Sequence, residues 1–211
     1  GKLFGLWTDW YENGQKKEEG TFKSGKKDGL WTEWKNNGQK IEESIYKDGE
    51  LNFNKRWNYY YNGKKRSEKS YKYGNLDGPS TYWNSNGQKK SERTYKDGIK
   101  NGLSIEYYEN GQVKEEVRYK DGKKDGINIF WNENGQKKQE GNYKDDKVLV
   151  FTHFYDNGKK SSEVIYKDNK EDIVTFWYEI GQKMSEGTFT EDGDLIYNHC
   201  WDENGNEEKC D

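Results

Sequence analysis

Tyr107-Tyr108-Glu109-Asn110-Gly111-Gln112-Val113-Lys114-Glu115-Glu116 runs on into Tyr119-Lys120-Asp121-Gly122, and this stretch decides the fold. Asn-Gly between runs of strand-forming residues is a strong short hairpin signal. The Asp-Gly that follows supplies a second turn before the next run. The same Asn-Gly-Gln string recurs at Asn13, Asn37, Asn86 and Asn134. Variants stand at Asn62-Gly63-Lys64, Asn157-Gly158-Lys159, Ile180-Gly181-Gln182 and Asn204-Gly205-Asn206. Neighbouring turn glycines lie 23 to 25 residues apart, which gives nine units, the ninth cut short after its turn. A fixed period of this length marks a repeat architecture.

Aligned on the turn glycine, the units share an aromatic four residues before it, as at Trp10, Trp34, Tyr59 and Trp83. A Glu stands five residues after it in eight units, as at Glu19, Glu43, Glu68 and Glu92, and a second aromatic eight after, as at Phe22, Tyr46, Tyr71 and Tyr95. Each unit reads as a β-hairpin. A three-residue loop with Gly in the left-handed region is preferred over a two-residue turn, because it puts both recurring aromatics on one face. That face would also carry Leu6 and Thr8 and their equivalents, since side chains alternate along a strand. The second turn, Gly25-Lys26-Lys27-Asp28-Gly29 and its relatives, joins one hairpin to the next.

The expected fold is therefore all-β: an elongated antiparallel β-hairpin repeat, a meander or solenoid of about nine units of 24 residues. It is expected as a single repeat domain over 1-211, with hairpins near 5-28, 29-52, 53-77, 78-101, 102-125, 126-148, 149-171, 172-195 and 196-211. An apolar sheet face must coil on itself, stack along an axis or be covered by a partner. Stability in such an array is a sum of units and nearest-neighbour interfaces.

The quoted stretch, with Tyr119-Lys120-Asp121-Gly122-Lys123-Lys124-Asp125-Gly126 after it, resembles the MORN-repeat variant, the repeat of the YwqK-type antitoxin family. The resemblance covers essentially the whole chain. It implies a MORN-like hairpin array and, by the family name, toxin neutralisation, and it carries no catalytic residues. The chain departs from the pattern at Lys144-Asp145-Asp146, Lys167-Asp168-Asn169 and Ile180-Gly181, where a turn Gly or Asn is lost.

Composition narrows the function. Of 211 residues 36% are charged and only 29% hydrophobic, yet aromatics reach 16%, with 9 Trp and 17 Tyr. Disordered chains are poor in aromatics, so aromatic side chains must build the order here. There is no Ala, which disfavours a helical bundle, and no run of about 18 apolar residues to make a membrane-spanning helix. Two His and two Cys leave little material for histidine catalysis or zinc. No nucleophile–base pair or phosphate loop appears, so the chain is expected to be non-enzymatic and to need no cofactor and no metal.

In a repeat array, a residue found in every unit serves the unit, and function sits where units differ. The recurring Glu is read as a hydrogen-bond acceptor or a partner for Lys. The third unit has an extra residue and the densest aromatic run, Arg56-Trp57-Asn58-Tyr59-Tyr60-Tyr61. Trp7, Trp31, Arg56, Tyr60 and Tyr82 fall on the face opposite the expected core. With Trp57 and Tyr61 they are the candidate binding residues, Tyr, Trp and Arg being enriched in interface hot spots. A second packed face in a coiled sheet is the alternative reading of the same residues. Acidic turns, including Glu191-Asp192 with Asp194, are read as solvated.

Charge is uneven along the chain. Residues 1–100 hold 21 Lys and Arg against 14 Asp and Glu, and residues 101–211 hold 15 against 25. That asymmetry would steer a charged partner or drive self-association. Nucleic acid is disfavoured as a partner, because the whole chain carries a net charge of -3 and Lys falls at fixed turn positions. Cys200 and Cys210 flank the last Asn-Gly and are expected to form a cross-strand disulfide, hence a secreted, periplasmic or cell-surface location. Free thiols would return the chain to the cytoplasm. A chain beginning at Gly1 leaves room for a removed targeting segment. The expected function is binding of another protein, a toxin in the antitoxin or immunity reading. The runner-up is a secreted or surface-exposed adhesin or virulence-type binding protein. A membrane-associated MORN-like scaffold, with a membrane surface as partner, is third.

Overall fold

Two kinds of turn alternate along the chain, and each follows from its residues. In the computed structural model, which describes residues 1–190 and 192–210, the first kind is closed by Tyr11 N–H to the Gln15 carbonyl at 2.8 Å and Gly14 N–H to the Tyr11 carbonyl at 2.9 Å. The same two bonds recur in every unit through Asp202, Gly205 and Asn206. Gly14 has φ +82°, and Asn13 Oδ1 accepts from the Gln15 amide at 3.1 Å. The three-residue loop expected from the sequence is the one observed.

In the second kind both central residues have positive φ, as at Asp121 (50°) and Gly122 (85°). This is the hairpin turn whose twist suits the flanking strands. Asp145 and Asp146 (50° and 69°) and Asp168 and Asn169 (52° and 65°) hold the same conformation without a glycine. The departures from the repeat pattern thus leave these turns intact.

The described residues form nineteen strands and no helix, an all-β hairpin repeat. They divide into two compact units, Gly1–Asn101 and Gly102–Asp211. The first holds β1 (Gly5–Trp10), β2 (Lys16–Lys23), β3 (Lys26–Trp34), β4 (Lys40–Lys47), β5 (Glu50–Tyr59), β6 (Lys65–Lys72), β7 (Asn75–Trp83) and β8 (Lys89–Lys96). β9 (Ile99–Tyr107) begins at the boundary. It is followed by β10 (Val113–Lys120), β11 (Lys123–Lys124), β12 (Gly126–Trp131), β13 (Lys137–Lys144) and β14 (Lys147–Phe154). β15 (Lys160–Lys167), β16 (Lys170–Trp177), β17 (Lys183–Phe189), β18 (Leu195–Trp201) and β19 (Glu207–Glu208) complete the second unit. Within each unit successive strands pair antiparallel, except that β11 and β12 both pair with β10.

One expectation is overturned. The two recurring aromatics lie on opposite faces. Trp10 pairs with Lys16, but Asp9 pairs with Glu18, so Lys17 is an extra residue in β2. The same slip follows the turn in the next seven units. One extra residue flips every later side chain to the other face. The aromatic before the turn therefore shares a face with Thr8 and Glu19, whereas Phe22 shares a face with Trp7 and Asp9.

The ends of the hairpins are tied to their neighbours. The hydroxyls of Tyr11, Tyr108 and Tyr155 donate to the carbonyls of Trp34, Trp131 and Trp177, one unit on, at 2.8, 2.7 and 2.6 Å. At the opposite edge Gly49 N–H donates to the Lys27 carbonyl at 2.9 Å. Each hairpin depends on the next, as nearest-neighbour stability requires.

Candidate interaction surface

The flip gives the sheet a constant face and a variable face. On the constant face Thr and Glu alternate across the strands: Thr8 opposite Glu19 and Glu19 opposite Thr32, then Glu140 opposite Thr152 and Thr152 opposite Glu163. The Thr8 and Thr152 hydroxyls donate to Glu19 and Glu163 at 3.2 and 3.1 Å. Lys137 and Lys183 pair with Glu140 and Glu186, each at 2.7 Å. The same lysines lie over recurring aromatics, Lys183 being 5.5 Å from the Trp201 ring. The recurring Glu therefore serves the hairpin, as the sequence suggests. Beyond this row Leu6 and Leu30 stand exposed.

The third unit keeps that chemistry with a different residue. Trp57 takes the place of Thr and donates Nε1 to Glu68 at 2.9 Å. Lys55 and Lys65 add bonds at 2.9 and 3.0 Å. Burial acts to raise the Glu68 carboxyl, but the bonds from Lys55, Lys65 and Trp57 overrule it and hold it at about 2.

On the variable face the unit-to-unit differences are large. Across β1 to β4 of the first unit, Asp9, Glu18, Glu33 and Glu42 stand directly opposite one another in a line. The line continues over β5 to β8 through Arg56, Lys69, Ser80 and Arg93. In the second unit the equivalent line begins with Glu106 and Glu115 and then carries Phe130, Gln139 and His153. Ser162, Phe176, Ser185 and Cys200 follow. One register position is charged at seven of eight places in the first unit, whereas in the second it is mostly uncharged after Glu115, with Phe130, His153 and Phe176 among small and polar residues.

Local contacts hold the charged line. Glu42 accepts from Arg56 and Asn54 at 2.9 and 2.7 Å. Lys17 pairs with Asp9 at 3.0 Å, and Lys27 pairs with Glu18. Burial, then the neighbouring charges of Glu42 and Glu18, push the Glu33 carboxyl up. Tyr82 lies between two cations, with Lys69 at 5.2 Å and Arg93 at 5.5 Å from its ring.

The candidate binding residues sort differently from the expectation. Trp31 is only 2% exposed, its ring centroid 4.9 Å from Phe22 and 5.6 Å from Trp7, with Lys27 Nζ 4.0 Å above it. It packs as core, and half-buried Trp7 packs on it. Tyr60 is structural too, its hydroxyl donating to the Trp83 carbonyl at 2.8 Å. Trp57 lies on the constant face. Tyr61 is fully exposed in a turn. Arg56 and Tyr82 remain together on the variable face. The missed residues are Glu33, Glu42, Lys69 and Arg93, and register alone brings them into line with Arg56.

Elsewhere, a cleft of about 390 Å³ in the second unit mixes Lys167, Lys170 and Glu171 with Phe189 and Ile196. Among the described residues no cluster of His, Cys, Asp or Glu could hold a metal ion. Among the same residues no helix is long and apolar enough to cross a membrane. Cys200 and Cys210 form a disulfide with a Cα–Cα separation of 5.3 Å. Glu191, read with the acidic turns, lies outside the described residues.

Residues 5–24, 27–48, 76–97, 100–121, 124–145 and 147–168 match the model of the MORN repeat variant, more than half of the chain. The chain belongs to the MORN repeat variant family. The matched MORN repeats leave out 49–75, the stretch with the extra residue, Arg56 and Lys69. No curated protein matches this MORN repeat chain. It is similar to a chain in "Crystal Structure of TcdB2-TccC3-TEV" at 11% identity and TM-score 0.31, covering 93% of this chain and 13% of that one. A chain in "Crystal Structure of TcdB2-TccC3-Cdc42" gives 11% identity and TM-score 0.34, covering 97% and 13%. Likenesses at these scores carry no argument about function.

Proposed function

We propose that this MORN repeat chain is a non-catalytic protein-binding scaffold that recognises its partner through the variable face. The observation that carries the reading is the division of the sheet. One face repeats the same Thr, Glu, Lys and aromatic groups in unit after unit, while the other changes at one register position from acidic to basic along the first unit and, in the second, from Glu106 and Glu115 to largely uncharged residues. Selection for folding alone explains the first and not the second. The finer form of the reading, taken from the family resemblance, is neutralisation of a toxin by occluding it.

The test is a photo-crosslinking residue placed at Tyr82 or Phe130 on the variable face, and at Leu30 on the constant face, in the native host. Discrete protein adducts from the variable face alone are expected. Equal labelling from both faces would overturn the reading. For the finer form, the adducted protein should inhibit growth when expressed without this chain.

The Cys200–Cys210 disulfide favours a second reading, a secreted or surface-exposed binding protein, because such bonds persist in oxidising compartments. Intact mass of the native protein with and without reductant separates the two. An oxidised pair supports the extracellular role, and two free thiols support the cytoplasmic antitoxin.

A further inference from the structure

The charged line on the first unit has an order that binding to an arbitrary protein does not require. Counted from β1, positions one to four are acidic (Asp9, Glu18, Glu33, Glu42) and positions five, six and eight are Arg56, Lys69 and Arg93, with Ser80 at seven. Turned about an axis that lies in the plane of the face, parallel to the strands and between β4 and β5, the line falls on itself in reverse. Glu33 then faces Lys69, Glu42 faces Arg56, Asp9 faces Arg93 and Glu18 faces Ser80. No like charges meet. A rotation about an axis along the line would instead set every charge against its own kind.

From this we infer that the variable face of the first unit docks a second copy of this chain about a two-fold axis parallel to the strands. Two-fold interfaces use one patch on both subunits and must be self-complementary. Eight strands about 4.8 Å apart, each rising about 3.3 Å per residue over eight residues, offer roughly 900 Å² per partner. A stable interface needs about 800 Å².

Glu33 is the group most improved by docking. It sits directly between Glu18 and Glu42, and like charges directly opposite are destabilising. Among the described residues it has no hydrogen bond or ion pair, and its carboxyl is pushed up by burial and by those two neighbours. The Lys69 ammonium of the second copy would remove that repulsion. At the axis, Glu42 and Arg56 of the two copies close a four-membered ring of alternating charge. Tyr71 and Tyr82, beneath Arg56 and Lys69, supply apolar area beside the line. This goes beyond the proposed function, assigning the first unit's variable face to self-recognition and leaving the second unit's largely uncharged line for other partners.

The experiment is sedimentation velocity on the purified chain, at low and high salt, for wild type, Glu33→Lys, Lys69→Glu and an equimolar mixture of the two variants. Wild type should dimerise, and more weakly at high salt because exposed charges are screened. Each variant alone places like charges opposite each other and should weaken the dimer by about tenfold or more. The mixture should restore it, because the Glu33→Lys chain presents two cations where the Lys69→Glu chain presents two anions. Circular dichroism of each variant checks folding. A monomeric wild type, single variants that dimerise unchanged, or folded variants whose mixture stays monomeric would each overturn the inference. Purified protein alone suffices, so its failure is distinct from failure of the crosslinking test.

Discussion

Trp31 occupies the space that a side chain on Gly20 would need: a Cβ there would lie 2.1 Å from Cδ2 and 2.4 Å from Cε2 of the indole. The chain has no Ala and few aliphatic residues, and here it builds core from a ring packed on a glycine. Phe22, Trp7 and Tyr46 surround the same ring at centroid distances of 4.9, 5.6 and 6.4 Å.

Gly20→Ala should therefore destabilise the first unit by about 1–3 kcal/mol, the usual cost of overpacking. Trp31→Ala should cost about 3–5 kcal/mol through the cavity it leaves. Denaturant unfolding followed by tryptophan fluorescence checks both, and a neutral Gly20→Ala would contradict the packing.

Glu68 gives a pH prediction. Its carboxyl is held at about 2, against an ordinary value of 4.5. A carboxyl depressed by folding contributes stability above its unfolded value and loses it as pH falls through the folded one. Glu68→Gln should lower the unfolding midpoint at pH 7. The gap from wild type should close between pH 4.5 and 2, as followed by circular dichroism.

Tyr60 and Tyr61 adjoin in sequence but differ in role. Tyr60→Phe removes the hydroxyl that reaches the Trp83 carbonyl at 2.8 Å and should cost about 0.5–1.5 kcal/mol. Tyr61→Ser, on a fully exposed ring, should leave the midpoint unchanged. Thermal melts of the two variants side by side make the comparison.

Asn169 holds φ 65° without being glycine. Asn169→Gly should stabilise the second unit, by up to about 1 kcal/mol, as strain relief at the turn exceeds the added chain entropy. A lower midpoint in chemical denaturation would show that the Asn side chain contributes more than the strain it brings.

The Cys200–Cys210 bridge closes a loop with a sequence separation of 10, worth about 2–3 kcal/mol by loop-closure entropy. Reduction should raise amide exchange in β18 and β19 and leave β1 to β8 unchanged. Mass-resolved hydrogen exchange reads both regions in one sample.

Much of this was legible in the residues because the controlling interactions are local. Asn-Gly and Asp-Gly fix their turns through backbone conformations that few residues adopt, so hairpin period, strand order and all-β class follow from sequence alone. The Cys200 to Cys210 pairing was legible for the same reason, both residues flanking one turn. The face of each side chain was not. It depends on the extra residue at Lys17 and its equivalents, a slip that no residue type announces and that cross-strand packing selects. That slip put Phe22 on the face of Trp31 and set Glu68 opposite Trp57. It also brought Glu33 into line with Lys69, 36 residues further on. Turns were determined by the sequence; the charged line exists only through register, because which strand residues stand opposite one another is decided by pairing across the sheet.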